Sequence, residues 1–224
     1  MEHSLTALNY YKEANDLRGE ADTLNSLGAV YMFQKDNEKR LDCNLKCLEL
    51  RKLIGEADDI SGSMNNIGET YFEMGMYDAA KDWFYQCINY PGSTQDSIAW
   101  AYHNLGKLKH KERNFDESER FYLKSLEQSR TIAYDILTTE SLLMLSRLYL
   151  DLGRAEEAIN TIRETIDLST RIGSREELKE AFLMLSQLYD ASGNYEMALN
   201  AHRSFHQLYS EIHNEVNMQR LKDL

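Results

Sequence analysis

Met64-Asn65-Asn66-Ile67-Gly68-Glu69-Thr70-Tyr71, continued by Gly75-Met76-Tyr77, Ala80 and Phe84, is a pattern whose skeleton returns four more times in the 224 residues. Gly68 has counterparts at Gly28, Gly106, Ser146 and Ser186, so the successive spacings are 40, 38, 40 and 40 residues. Each of these small anchors follows Leu27, Ile67, Leu105, Leu145 or Leu185. Four residues before each stand Leu24, Met64, Tyr102, Leu142 and Phe182, and three after it Tyr31, Tyr71, Lys109, Tyr149 and Tyr189. Apolar residues at i, i+3 and i+7 make one face of a helix. A small residue inside that face lets a second helix approach closely.

The second half of each unit is equally regular. Seven residues after the anchor come Lys35, Gly75, Arg113, Gly153 and Gly193, where glycine permits a helix stop. Twelve after it are Arg40, Ala80, Ser118, Ala158 and Ala198, and twenty after it Leu48, Ile88, Leu126, Ile166 and His206. Asp78, Asp116-Glu117, Glu156-Glu157 and Glu196 suit the first turn of a second helix, where the dipole favours negative charge. Gly19, Gly55, Gly92 and Gly173, with Ala133 once, mark the loops between units. One proline in the chain, where average usage gives about eleven, agrees with helices joined by short turns.

Composition bounds the function. The net charge of −12 repels phosphate backbones and anionic lipid, so the expected partners include neither nucleic acid nor membrane. No apolar run reaches 18 residues, and Met1-Glu2-His3-Ser4 does not open a secretory signal. Cys43, Cys47 and Cys87 are too few for a disulfide framework and read as buried thiols of a reducing, cytoplasmic compartment.

The pattern resembles the tetratricopeptide repeat (TPR) in its longer, forty-residue form, as in kinesin light chains and bacterial peptide-pheromone receptors. Arg40 and Lys109 depart from the family's small and tyrosine positions. The resemblance implies an all-α superhelix of about 11 antiparallel helices, with the extra length placed in the second helices. It divides the chain into a second helix of a truncated leading repeat at 1–20 and five units at 21–58, 61–95, 99–135, 139–175 and 179–209. A helical extension follows at 210–224, and both ends are expected to be cut from a longer protein.

Catalytic chemistry has no foothold: phosphate loops, nucleophile elbows and zinc-protease signatures are missing from the sequence, and no enzyme, cofactor or metal is expected. Cys43 and Cys47 share a helix face, as do His202 and His206, but zinc asks for about four ligands, and both pairs read as core filling. Binding is better supported. Asn25, Asn65, Asn66 and Asn104 fall two or three residues before three consecutive anchors, where amides can pair with the backbone of an extended peptide. Helix capping or interhelical hydrogen bonds compete for the same amides. His103, Lys107, His110, Lys111 and Arg147 form a basic island in an acidic chain and predict an acidic peptide, held more tightly as pH falls through about 6.5. Phe33, Phe72 and Trp100 offer apolar contacts beside them. Leu221 and Leu224, with Asn214 and Asn217 a heptad earlier, suggest self-association through a longer C-terminal helix. The tail resembles exit helices of bacterial repeat-containing sensors. The function expected is therefore a peptide- or protein-binding sensory module, or else a constitutive scaffold for complex assembly.

Overall fold

The computed structural model describes residues 2–55 and 57–222, and every regular element among them is an α-helix. Eleven follow in order: α1 (Glu2–Glu13), α2 (Leu17–Gln34), α3 (Asn37–Ile54), α4 (Ala57–Glu73), α5 (Tyr77–Asn89), α6 (Gln95–Lys111), α7 (Phe115–Thr131), α8 (Asp135–Asp151), α9 (Ala155–Ile172), α10 (Arg175–Ala191) and α11 (Tyr195–Lys222). They fall into two compact units, Met1–Glu112 with α1 to α6 and Arg113–Leu224 with α7 to α11. Within each unit, every helix packs against the next one in sequence, and the first helices α4 and α6, or α8 and α10, also touch.

The turns carry a finer period than the repeat. A left-handed residue occurs at Asn15, Lys35, Gly55 and Gly75, then at Arg113, Ala133, Gly153, Gly173 and Gly193, twenty residues apart within each series. At three of these turns the side chain of the next residue caps the following helix: the carboxylate of Asp16 accepts the Gly19 N–H at 3.0 Å, that of Asp36 the Lys39 N–H at 3.2 Å, and the amide oxygen of Asn114 the Glu117 N–H at 3.4 Å. The forty-residue repeat is thus two half-repeats of one helix and one turn each. Its extra length is shared by both helices, which have 17 or 18 residues in α2, α3, α4 and α6 to α10, rather than going to the second helices alone. The exception is α5, with 13 residues, which Pro91 ends by removing a backbone donor. That shortened helix accounts for the 38-residue spacing.

Each first helix begins four residues before the boundary expected from sequence, at 17, 57, 95, 135 and 175. Gly19 is consequently no loop residue. It lies in the first turn of α2, and a Cβ there would stand 2.3 Å from the Tyr11 ring of α1. The tail also differs from a freely projecting extension. Arg175 at the start of α10 holds Glu211 at 2.9 Å and Glu215 at 2.6 Å, so α11 stays tied to α10 as far as residue 215. Of the residues expected to pair in a coiled coil, Leu221 is helical in backbone and Leu224 lies outside the described residues.

The anchors set helix spacing. A Cβ on Gly68 would come within 2.6 Å of the Phe84 ring, which is wholly buried in α5, and one on Gly28 within 2.7 Å of Asn44 Oδ1 in α3. Ser146, the anchor of α8, instead donates to Thr161 Oγ1 of α9 at 2.8 Å. Leu24, Leu27, Cys43 and Cys47 form a core in the first unit. Two cores lie in the second: one holds Tyr122, Leu142, Leu145 and Ala158, and the other Leu143, Ile162, Met184 and Leu185. Gly68→Ala should cost about 1–3 kcal/mol in urea unfolding, because the Phe84 ring has no room to retreat. Ala133→Gly should stabilise by up to about 1 kcal/mol, since alanine is strained at its φ of 54°; equal midpoints for parent and variant would contradict this.

Candidate functional site

The expected site residues of the first unit lie on α2, α4 and α6, and the structure joins many of them to one another. Asn66 on α4 donates its side-chain NH2 to Asn25 Oδ1 on α2 at 3.1 Å. Asn104 on α6 donates to Asn65 Oδ1 on α4 at 3.3 Å. Both bonds connect the residue three before one anchor to the residue two before the next. The same pair of positions in the second unit holds Leu143 and Met184, both in one apolar core. The four asparagines are thus interhelical stitches, the competing reading of the sequence. Each bond uses one side-chain N–H and one side-chain carbonyl, so Asn25 and Asn65 keep both N–H groups, and Asn66 and Asn104 one N–H and the side-chain carbonyl, with no hydrogen bond among the described residues; Asn65 and Asn104 are buried, and only Asn25 and Asn66 are partly exposed.

Two polar features escaped the sequence. Asn44 of α3, buried where three other repeats place Phe84, Tyr122 and Ile162, donates to Thr70 Oγ1 at 3.0 Å and to the backbone carbonyl of Asn66 at 3.3 Å. It fixes Asn66 from behind. The only signal was an amide at an otherwise apolar or aromatic position. Arg40, buried, forms an ion pair with Glu69 of α4. That pair explains how a long cation fits the family's small-residue position: its charge reaches past the helix contact to a carboxylate. A buried guanidinium needs such a partner.

The basic island is smaller than the sequence suggested. His103 is 3% exposed, its ring 5.6 Å from that of Trp100 in an edge-on arrangement. Burial pushes its pKa down to about 3, with the Lys107 charge acting in the same direction, so it is neutral and holds no ligand charge. The expected strengthening of binding with falling pH loses this contributor. Arg147 belongs to the second unit and is already paired with Glu180 of α10. What α6 does present is Lys107, His110 and Lys111, one turn apart near its C-terminus, with Lys111 exposed. Basic residues there also complement the helix dipole. The Lys107 ammonium stands 5.3 Å from the centre of the Phe72 ring on α4, and that ring lies 5.5 Å from Tyr77. Phe33, at the end of α2, is 81% exposed.

Elsewhere, Cys43, Cys47 and Cys87 are buried, and burial raises all three thiol pKa values, that of Cys87 to about 12. Such thiols are poor nucleophiles. His202 and His206, expected in the core, are both exposed on α11. No helix among the described residues is long and apolar enough to cross a membrane.

Stacked helix pairs with a small residue at each crossing define an α-solenoid, a class whose exposed helix faces serve contacts with other proteins. The chain belongs to the tetratricopeptide-repeat family, whose model matches residues 19–90 and 97–171. The fold is shared with BtubC (BKLC) from P. vanneervenii at a TM-score of 0.79 and 14% identity, over 95% of this chain and 90% of that one. It is shared too with the TPR-like repeats of a kinesin light chain type from Podosopora anserina, at 0.65 and 12% over 86% and 96%. A third likeness is to pilF of Pseudomonas aeruginosa, at 0.67 and 14% over 84% and 75%. No curated protein sequence matches the chain.

The buried His103 makes a pH prediction. Its folded pKa near 3 lies below the unfolded value near 6.5, so only the unfolded chain takes up the proton in between. Its contribution to stability is intact above pH 6.5 and is lost as pH falls toward 3. In urea titrations between pH 6 and 4.5, His103→Gln should lose stability less steeply than the parent, by up to about 1.4 kcal/mol per pH unit. Parallel slopes would show that His103 is not neutral in the fold.

Proposed function

We propose that the α2–α4–α6 face of the first unit binds an extended peptide or protein segment bearing acidic groups. The observation that carries this reading is the pair of asparagine stitches. Each leaves side-chain N–H groups and a carbonyl unused, in a row that runs from α2 to α6 and is partly exposed at Asn25 and Asn66. An extended backbone offers alternating carbonyls and N–H groups to such a row, whatever its side chains. Lys107 and Lys111 would meet its carboxylates, Phe72 and Phe33 its apolar side chains. Arg147, in the second unit and paired with Glu180, is left out of this face. TPR proteins are protein-interaction scaffolds, and in this reading the segment is the sensory or regulatory part of a larger cytoplasmic, bacterial signalling protein rather than a constitutive adaptor.

The test is a peptide-library selection on the parent, followed by calorimetry on an Asn65→Ala, Lys107→Glu double variant whose helicity and melting have been checked. Loss of an amide contact worth about 0.5–1.5 kcal/mol, together with reversal of a charge, should weaken binding tenfold or more. The charged part should fade with added salt. Equal affinity of both proteins for the selected peptides would dismiss the face as the binding site.

A further inference from the structure

In the first unit, the residues four and five after each anchor change character from helix to helix. They are Met32 and Phe33 on α2, Phe72 and Glu73 on α4, and His110 and Lys111 on α6. Phe33, Glu73 and Lys111 are all exposed, and so are Asp151 and Ala191 at the same place on α8 and α10. Exposure is therefore a property of this position in the repeat, whereas its chemistry differs with each helix. From α2 to α6 the position supplies an aromatic ring, a carboxylate and an ammonium.

The two charges are available to a ligand. Glu69, one turn earlier on α4, is committed to Arg40, and Glu112, next to Lys111, is held by Lys109 at 2.8 Å. Among the described residues, neither Glu73 nor Lys111 has an ion pair or a side-chain hydrogen bond. The spacing is regular as well. Asparagine bonds join α2 to α4 and α4 to α6, and packed helices lie about 8–10 Å apart. A polyproline II segment advances about 3.1 Å per residue with three residues per turn. Every third side chain therefore points the same way, about 9 Å further along. One turn of such a segment matches one step between helices.

We propose that the first unit selects a polyproline II segment of a partner protein by the order of three side chains, each three residues from the next. An apolar side chain lies over Phe33, a lysine or arginine over Glu73, and an aspartate or glutamate over Lys111. The order rests on the binding face proposed above and gives it specificity. Acidic residues alone do not make a ligand, because a carboxylate over α4 meets Glu73, and like charges reject a segment placed out of register. Phe33, 81% exposed beside Met32 at 39%, gives the segment its apolar anchor. The helices fix the order of the side chains and not the direction of the bound chain.

The experiment is fluorescence anisotropy with labelled proline-rich peptides that carry Leu-x-x-Lys-x-x-Glu in either chain direction, against peptides in which Lys and Glu are exchanged. An ordered peptide should bind about tenfold more tightly than its exchanged form at low salt, and the gap should narrow as salt is added. A Glu73→Lys, Lys111→Glu double variant with unchanged melting should reverse that preference. Phe33→Ala should weaken the favoured peptide about tenfold. Equal affinity for ordered and exchanged peptides, or a preference that survives the double variant, would overturn the order. Binding that is blind to order but lost in the Asn65→Ala, Lys107→Glu variant would leave the face itself standing. Absence of binding by all of these peptides would also overturn the order, while the library selection, which presumes none, judges the face independently.

Discussion

The close approach at Gly68 is the constraint from which the helix pairs take their geometry. A side chain there would collide with the buried Phe84 ring, so the α4–α5 spacing is set by an absent Cβ. The same place is kept narrow by Gly28 against Asn44 and by a serine hydroxyl at Ser146 that bonds across to Thr161. Spacing fixed at one point does not fix orientation, and the turns add that. A left-handed residue reverses the chain within about three residues, and its recurrence every twenty residues within each series gives the successive turns the same backbone form. Glycine is not essential for this, since Asn15, Lys35, Arg113 and Ala133 adopt the conformation at some cost in strain.

Most of this was legible in the sequence because it is local. Anchor, apolar face and turn lie within about ten residues of one another, and their periodicity survives substitution at single positions. Gly19 misled for a local reason as well: a glycine near a boundary suggests a loop, and here the loop conformation falls to Asn15 while the glycine clears space for Tyr11. The candidate site was less legible. Asn25, Asn65, Asn66 and Asn104 were found, but their mutual bonds span 41 and 39 residues, and no pattern in the chain indicates which amide meets which. His103 looked like a surface charge because it lies four residues from Lys107, yet it turns inward onto Trp100. Arg147 looked free because its carboxylate, Glu180, is 33 residues away.

Comparison of equivalent positions separates the two units. The two sites that join successive first helices are amides between α2 and α4 and between α4 and α6, and are Leu143 and Met184 between α8 and α10. An apolar contact is finished once it is made. An amide pair has further donors and acceptors, and an exchange of one hydrogen bond for another has a small net free energy. In the reading proposed above, a backbone would exchange bonds with the partly exposed amides of Asn25 and Asn66, whereas Leu143 and Met184 at the corresponding places of the second unit have no amide to exchange. Asn44 strengthens this asymmetry. By holding the backbone carbonyl of Asn66 and the Thr70 hydroxyl from the second-helix side, it keeps the α4 stitch in place from below and leaves the side-chain amide of Asn66 to face α2. The polar residues that look least suited to a helical core are the ones that join α2, α4 and α6 to one another.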